Sequence, residues 1–288
     1  MAAGSMQDIK RRKKSVTSTE HITNAMKLVS AGKLRKAKAI FEKTNENSHY
    51  ITNTIAELFN NSKEVPEKYL AGSREINTTC YITVTSCRGL CGGFNSNILK
   101  EAQSRIDLGN EKPVIIAIGT KAKEYFEKRG YNVYSDYLAP PENISALETR
   151  EMMRPIIEMY NRGEIDEIVL IYTAFISSME QEVRSVRLLP FEIEKDPEVI
   201  RDAKTVEYEP SIEEVFNYLV PKYVEMMLYA AVVESATCEH AARRMAMENA
   251  TDSAREMLDM LSLNYNRARQ SAITDEIIEI VAGSEAQN

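Results

Sequence analysis

A glycine-rich segment, TSCRGLCGGFNSN at residues 85–97, contains the residue types most suited to ligand chemistry. It lies between an apolar run and a segment with helical spacing, and turns of this kind often bind phosphate at the helix N-terminus. The spacing of Gly89, Gly92 and Gly93 differs from the Gly-x-Gly-x-x-Gly pattern of dinucleotide sites, and the chain contains no Gly-Lys-Ser or Gly-Lys-Thr. Nucleotide binding is therefore the weaker interpretation of this segment.

Metal binding and nucleophilic catalysis are the other chemistries that the residue types could support. The chain has four cysteines and three histidines: Cys80, Cys87, Cys91, Cys238, His21, His49 and His240. No Cys-x-x-Cys pair occurs and no histidine lies near the first three cysteines, so the spacing does not predict a zinc site. Without an apolar run after the N-terminal basic cluster, we expect free thiols in a reducing compartment. We predict no catalytic residue, cofactor or metal.

Predicted strands and helices alternate between residues 77 and 195, around the glycine-rich segment. β-Rich apolar runs predict strands at Thr79–Thr85, Pro113–Gly119, Tyr131–Tyr134, Glu167–Phe175 and Glu182–Leu189. Helices are predicted at Asn95–Leu108, Lys121–Arg129 and Ser145–Asn161. This alternation is typical of a mostly parallel sheet covered by helices, which is a Rossmann-like α/β domain.

The C-terminal third predicts one long helix, which begins with a capping box at Ser211–Glu214. Residues spaced alternately by four and three positions along this helix are mostly apolar and form a seam. A seam of this kind over about seven heptads indicates a coiled coil. The seam consists of Leu219, Tyr223, Met226, Ala230, Val233, Thr237, His240, Arg244, Met247, Thr251, Ala254, Leu258, Leu261, Tyr265, Ala268 and Ala272.

The N-terminal segment Ser5–Asn61 also predicts a single helix, with an incomplete apolar stripe. That stripe consists of Ile9, Val16, Met26, Val29, Ile40, Ile51, Ile55 and Leu58. If both long helices meet the middle of the chain at one end, they form an antiparallel coiled coil with the α/β domain inserted between them. The predicted division is 1–61, 77–195 and 211–288, with linkers at Asn61–Ile76 and Lys195–Pro210.

Two features of these helices predict a surrounding partner. The C-terminal helix is longer by about 18 residues, or ~27 Å, so Gln270–Asn288 would extend alone with its isoleucines exposed. Residues 1–40 carry ten Lys or Arg against two acids, a net charge of +8 in a chain of −7. Such a basic segment on an acidic protein suggests an acidic partner surface.

Two other functions remain open from the residues alone. One is a nucleotide-using α/β enzyme with a coiled-coil stalk, which intrinsic ATP or NAD binding would support. The other is a basic coiled-coil adaptor for nucleic acid. The net negative charge, and the lack of aromatic residues among the basic residues of 10–38, argue against the adaptor.

Taken together, the segments resemble the gamma subunits of F-type ATP synthases over nearly the whole chain. The resemblance rests on residues 9–16, 22–35, 88–95, 239–252 and 268–283. The family commonly has Asp where this chain has Cys87, which puts local contacts in doubt. The resemblance implies that the glycine-rich segment lies at a collar near the shaft and is not a nucleotide site.

The resemblance further implies a non-catalytic rotor shaft inside a ring of three alpha and three beta subunits. Flow of protons or sodium ions would turn the c ring and this chain with it, while ATP chemistry would occur at beta. The central domain would bind the epsilon subunit. The resemblance implies no nucleic acid partner. The chain would be peripheral at the cytoplasmic face of a bacterial plasma membrane and would contact the membrane only through the complex.

The resemblance also implies roles for particular residues. A catch against beta would consist of Met26, Lys27, Arg269, Gln270 and Thr274. A collar against beta would consist of Lys33, Arg35, Arg88 and Cys91. A foot on the c ring would consist of Tyr208 and Glu209.

Overall fold

The computed structural model describes residues 2–62, 65–109, 111–192 and 208–285. The chain divides into two compact units, a smaller one of residues 1–31 with 243–288 and a larger one of residues 32–242. Two long helices, α1 (Ala2–Asn61) and α5 (Ile212–Glu285), contribute to each unit. The predicted division into three segments follows the helix ends and stays a prediction. Most of its second linker, residues 195–207, lies outside the described residues.

The larger unit contains a five-stranded sheet with the order β3-β2-β1-β4-β5. Its strands are β1 (Thr78–Val84), β2 (Lys112–Ile118), β3 (Val133–Tyr137), β4 (Glu167–Phe175) and β5 (Gln181–Leu189). The first four strands are parallel, and β5 is antiparallel to β4 because a short hairpin joins the two. The expected mostly parallel sheet is confirmed, with small shifts at the strand ends.

Helices cover both faces of this sheet. Between the strands lie α2 (Phe94–Leu108), α3 (Thr120–Lys128) and α4 (Ala146–Asn161). Successive residues of β1 point to opposite faces: Tyr81 packs in the cluster with α2 and α3, and Ile82 in the cluster with α4 and the long helices. Because both faces are covered, β1 is buried from Thr79 to Val84 and shows no alternation of buried and exposed residues.

In the smaller unit, α1 and α5 run antiparallel. Arg255 Nε lies 3.1 Å from Glu20 Oε1, and Lys27 Nζ lies 4.0 Å from Glu248 Oε1. Residues later in α1 therefore meet residues earlier in α5. The predicted seam of α5 is confirmed, because none of its positions is exposed in either unit.

Six of the eight residues of the predicted α1 stripe are sheltered, whereas Val29 and Ile40 prove to be 61% and 43% exposed. One row of sheltered residues recurs at seven-residue spacing: Ile9, Val16, Thr23, Ser30, Ala37, Thr44, Ile51 and Leu58. The central four are small and all four are buried. Small side chains allow a partner helix to approach closely, and the search for large apolar residues missed these four positions.

The C-terminal end of α5 extends beyond α1. Continuing the register of the smaller unit places Ala2 opposite Ile273, so the turns that follow have no described α1 residue beside them. The large apolar side chains of this end are about half exposed or more: Ile273, Ile277, Ile278, Ile280 and Val281. This agrees with the predicted overhang, of which residues 286–288 lie outside the described residues.

Asp166 binds the segment that leads into β1. Its buried carboxylate accepts hydrogen bonds from the backbone N–H groups of Asn77 and Thr78, both at 3.0 Å, and lies 3.6 Å from Arg74 Nε. Asp166→Ala would leave these donors unsatisfied, so we expect it to lower the free energy of unfolding by about 2–3 kcal/mol. Urea denaturation would measure the loss. An equal loss for exposed Asp107→Ala would contradict this role.

Candidate partner-binding site

The glycine-rich segment forms a turn between β1 and α2 that is closed by its own side chains. The Ser86 backbone N–H donates to Asn95 Oδ1 at 2.9 Å, and Asn95 Nδ2 donates to Ser86 Oγ at 2.8 Å and to Cys91 Sγ at 3.2 Å. Positive φ angles at Leu90 (63°) and Gly92 (57°) make the turn tight. The segment therefore presents Leu90 and Arg88 outward from a fixed base.

The base of this segment rests on the turn that follows β2. Thr85 donates its backbone N–H to Ile118 O at 2.7 Å, and its hydroxyl accepts from the Ala122 N–H at 2.9 Å. Gly119 lies between them with φ +88°, and a Cβ there would be 2.2 Å from Thr85 O. Only glycine fits this crossing, so the two turns form one rigid support.

The strand order reverses between β1 and β4, which is where open α/β sheets usually bind ligands. Side chains of α5 occupy this position. Ser235 Oγ accepts from the Thr173 N–H at 3.2 Å, Cys238 Sγ donates to Thr173 O at 3.5 Å, and Glu234 Oε1 accepts from the Phe175 N–H at 2.9 Å. α5 therefore packs against the end of β4, where a nucleotide would be expected, and this argues against the nucleotide interpretation.

Nothing in the sequence indicated that Glu234 contacts β4, since an acidic residue on a long helix is ordinarily exposed. Burial raises the pKa of its carboxyl, and the backbone hydrogen bond from Phe175 opposes that shift. Among the described residues, no group of three or more His, Cys, Asp or Glu side chains is placed to hold a metal.

The predicted collar residues lie on two elements of the larger unit. Lys33 and Arg35 are exposed on α1, and Arg88 is exposed on the glycine-rich segment. Cys91 is 2% exposed, and its sulfur lies 3.9 Å from the Arg88 carbonyl. The thiol is therefore part of the support for Arg88, and a contact between Cys91 and a partner stays a prediction.

Lys33 is held by a residue that the sequence did not indicate. Its ammonium lies 2.7 Å from Glu142 Oε1, and His240 Nε2 lies 3.6 Å from the same oxygen. The His240 imidazole and, after it, the Lys33 ammonium lower the pKa of the Glu142 carboxyl to about 2, although its partial burial opposes them. These residues come from three distant segments, so no local pattern could have revealed the cluster.

The predicted catch residues lie in the smaller unit at two separate places. Lys27 is beside Glu248, whereas Arg269 follows about 21 residues later on α5, a distance of about 30 Å along the helix. Arg269, Gln270 and Thr274 are exposed, and the Thr274 hydroxyl donates to Gln270 O at 2.9 Å. Met26 and Lys27 are half-buried. The structure therefore does not bring the five residues together.

The predicted foot residues lie at the start of the last described range. Tyr208 is half-buried and packs against the core that contains Phe216, while Glu209 is exposed. Glu209 is thus the one of the pair whose side chain is open to a partner.

Known proteins resemble this chain over its full length. A family profile described as ATP synthase matches residues 5–287. The ATP synthase gamma chain of Alkaliphilus metalliredigens is 44% identical over 285 residues, which cover 98% of both chains. The ATP synthase gamma chain of Ruminiclostridium cellulolyticum is 39% identical over 99% of both chains.

The fold is also similar to a solved structure of an ATP synthase. A chain from the Euglena gracilis mitochondrial ATP synthase, described as OSCP/F1/c-ring, superposes with a TM-score of 0.71. The match covers 99% of this chain and 95% of that chain at 19% identity, which supports the fold. The sequence relatives settle the family: this chain belongs to the ATP synthase gamma chains.

Proposed function

We propose that the chain is the central rotor shaft of an F-type ATP synthase. In this role it couples ion-driven rotation of the c ring to ATP synthesis or hydrolysis at the beta subunits. The observation that carries the proposal is the match to a gamma chain over 98% of both chains at 44% identity. The hydrogen bonds of α5 side chains to the end of β4 support a role without catalysis, because they place a helix where an α/β sheet usually binds ligands.

The physical basis of such coupling is a difference in contact energy. A shaft changes the state of a beta subunit only if its surface binds one beta conformation better than another. The described surface is suited to this because different parts of the chain present different chemistry. Cationic residues lie on α1 and the glycine-rich segment, whereas the free end of α5 is apolar and exposed.

We assign the partner contacts according to exposure. Arg269, Gln270 and Thr274 would contact beta as the outer part of the catch, with Met26 and Lys27 forming a separate inner part. Lys33, Arg35 and Arg88 would form the collar, with the buried Cys91 supporting it. Glu209, beside Tyr208, would meet the c ring. The exposed isoleucines at the end of α5 would lie in an apolar bearing formed by the surrounding ring.

The proposed assembly contains three alpha and three beta subunits, one epsilon subunit on the central domain, and the c ring. No helix within the described residues is long and apolar enough to cross a membrane. The chain would be peripheral at the cytoplasmic face of the plasma membrane, in contact with the bilayer only through its partners. The coupling ion, proton or sodium, is a property of those partners.

The first test is recovery of the assembly. The tagged chain is purified from source membranes in mild detergent, and its partners are identified and counted by mass spectrometry. Three alpha and three beta per tagged chain, with epsilon and c, are expected. Recovery of the chain alone, or with unrelated proteins, would overturn the rotor proposal.

A second test addresses the outer catch. We expect the double variant Arg269→Ala, Gln270→Ala to slow ATP hydrolysis by the assembled complex about five-fold or more, because two exposed polar contacts with beta are removed. Steady-state hydrolysis by complexes of unchanged composition measures the effect. The matched control is Arg267→Ala, which removes the same charge from another side of α5. Equal losses in the two variants would contradict the assignment.

A further inference from the structure

The segment between β3 and α4 connects the glycine-rich segment to both long helices. We call residues 138–143 the strap. At its start, Cys87 Sγ donates to the carbonyls of Leu138 and Ala139 at 3.2 and 3.3 Å. At its end, Glu142 lies against Lys33 of α1 and His240 of α5. One short segment thus has contacts on three elements of the larger unit.

The two ends of the strap are held with different strength. A thiol is a weak donor, so the contacts of Cys87 contribute little by themselves. The pair of Glu142 and Lys33 is charge-assisted and short, at 2.7 Å. The Glu142 side chain is 19% exposed and the adjoining His240 side chain 2% exposed, so solvent screens this end only in part. Glu142 is therefore the stronger anchor.

We propose that Glu142 is a positioning residue: through the strap it fixes the glycine-rich segment, which bears Arg88, relative to the face of α1 that bears Lys33 and Arg35. Cations on two separate elements then form one surface of constant geometry. The consequence for partner binding rests on the proposed function, whereas the strap itself is a property of the single chain.

The four free cysteines provide a direct readout. Cys87 is half-buried and lies under the strap, whereas Cys80, Cys91 and Cys238 are 0–2% exposed. Alkylation of the full-length chain by N-ethylmaleimide, resolved by peptide mass spectrometry, gives a separate rate for each thiol. Release of the strap would raise the rate at Cys87 without changing the rates at Cys80 and Cys238, which lie in the core.

The test compares Glu142→Gln with the wild-type chain. We expect alkylation of Cys87 to become about five-fold faster. The loss of one partly exposed ion pair makes local opening of the strap more frequent by about that factor. The matched control is Glu151→Gln, the same substitution at an exposed position of α4, which should leave the rate unchanged. Lys33→Met should give a similar increase, and adding Glu142→Gln to it should have little further effect, because both act on one contact.

Two results would overturn the proposal. One is an unchanged Cys87 rate in both Glu142→Gln and Lys33→Met. The other is an equal rise at all four cysteines, which would show a general loss of stability. If Glu142→Gln does not fold, the Cys87 alkylation rate of Lys33→Met decides the proposal. That variant should fold, because the Lys33 side chain is 52% exposed and is not needed for the core. The alkylation is measured on the single chain and needs no partner. Failure of the rotor proposal would therefore appear in the purification of the assembly from membranes and not in the alkylation rates.

Discussion

Replacing Gly119 by alanine is expected to lower the free energy of unfolding of the larger unit by about 3–5 kcal/mol. Two effects contribute to this loss of stability, one from the backbone conformation and one from a steric clash. At φ +88° and ψ 143° the backbone is in a region that side-chain-bearing residues rarely adopt. The new Cβ would also lie 2.2 Å from Thr85 O and 2.9 Å from Ser86 O, which are backbone atoms that cannot turn away.

Gly89→Ala is the matched control for this substitution. A Cβ at Gly89 meets no atom within 4 Å, and the residue does not need a positive φ. We therefore expect a change of less than about 0.5 kcal/mol at Gly89. Urea denaturation followed by circular dichroism compares the two variants. An unchanged midpoint for Gly119→Ala would show that the crossing of the two turns is loose.

Phe216→Ala is expected to cost about 3–5 kcal/mol, the second large effect. Phe216 is 0% exposed, and its ring lies 4.9 Å from that of Phe59 and 6.2 Å from that of Tyr69. It therefore joins α5 to α1 and to the segment that leads into the sheet. Alanine would leave a cavity at this junction, because the surrounding rings can close it only in part.

Tyr218→Ala controls for helix propensity and for loss of an aromatic ring. Tyr218 lies two residues further along the same helix and is 67% exposed. Its removal should change stability by less than about 0.5 kcal/mol. Thermal unfolding of both variants, followed by circular dichroism, gives the comparison. Equal effects would mean that the aromatic cluster does not hold the base of the helix pair together.

Gly119 and Glu142 support the glycine-rich segment in different ways. Gly119 fixes the base of the glycine-rich segment from below, through Thr85. Glu142 fixes its side, through the strap and Cys87. Cys87 thus has contacts of its own, with the backbone carbonyls of Leu138 and Ala139 in the strap.

Local periodicity was sufficient to predict the elements of this protein. The strands β2 and β4 are largely buried on both faces, so they appear as apolar runs, and the seam of α5 repeats with heptad spacing. The seam of α1 was missed in part because Thr23, Ser30, Ala37 and Thr44 are not strongly apolar. Their burial depends on how closely α5 approaches, and that distance is not encoded within α1 alone.

The sequence by itself determined the family and the order of the elements, because these follow from motifs and spacing along the chain. Only the tertiary structure decided which side chains bond to the end of β4, and which carboxylate holds Lys33. Glu142 is 109 residues from Lys33 in the chain, and Ser235 is 62 residues from Thr173. Contacts over such separations depend on how the sheet and helices pack, so no local pattern specifies them.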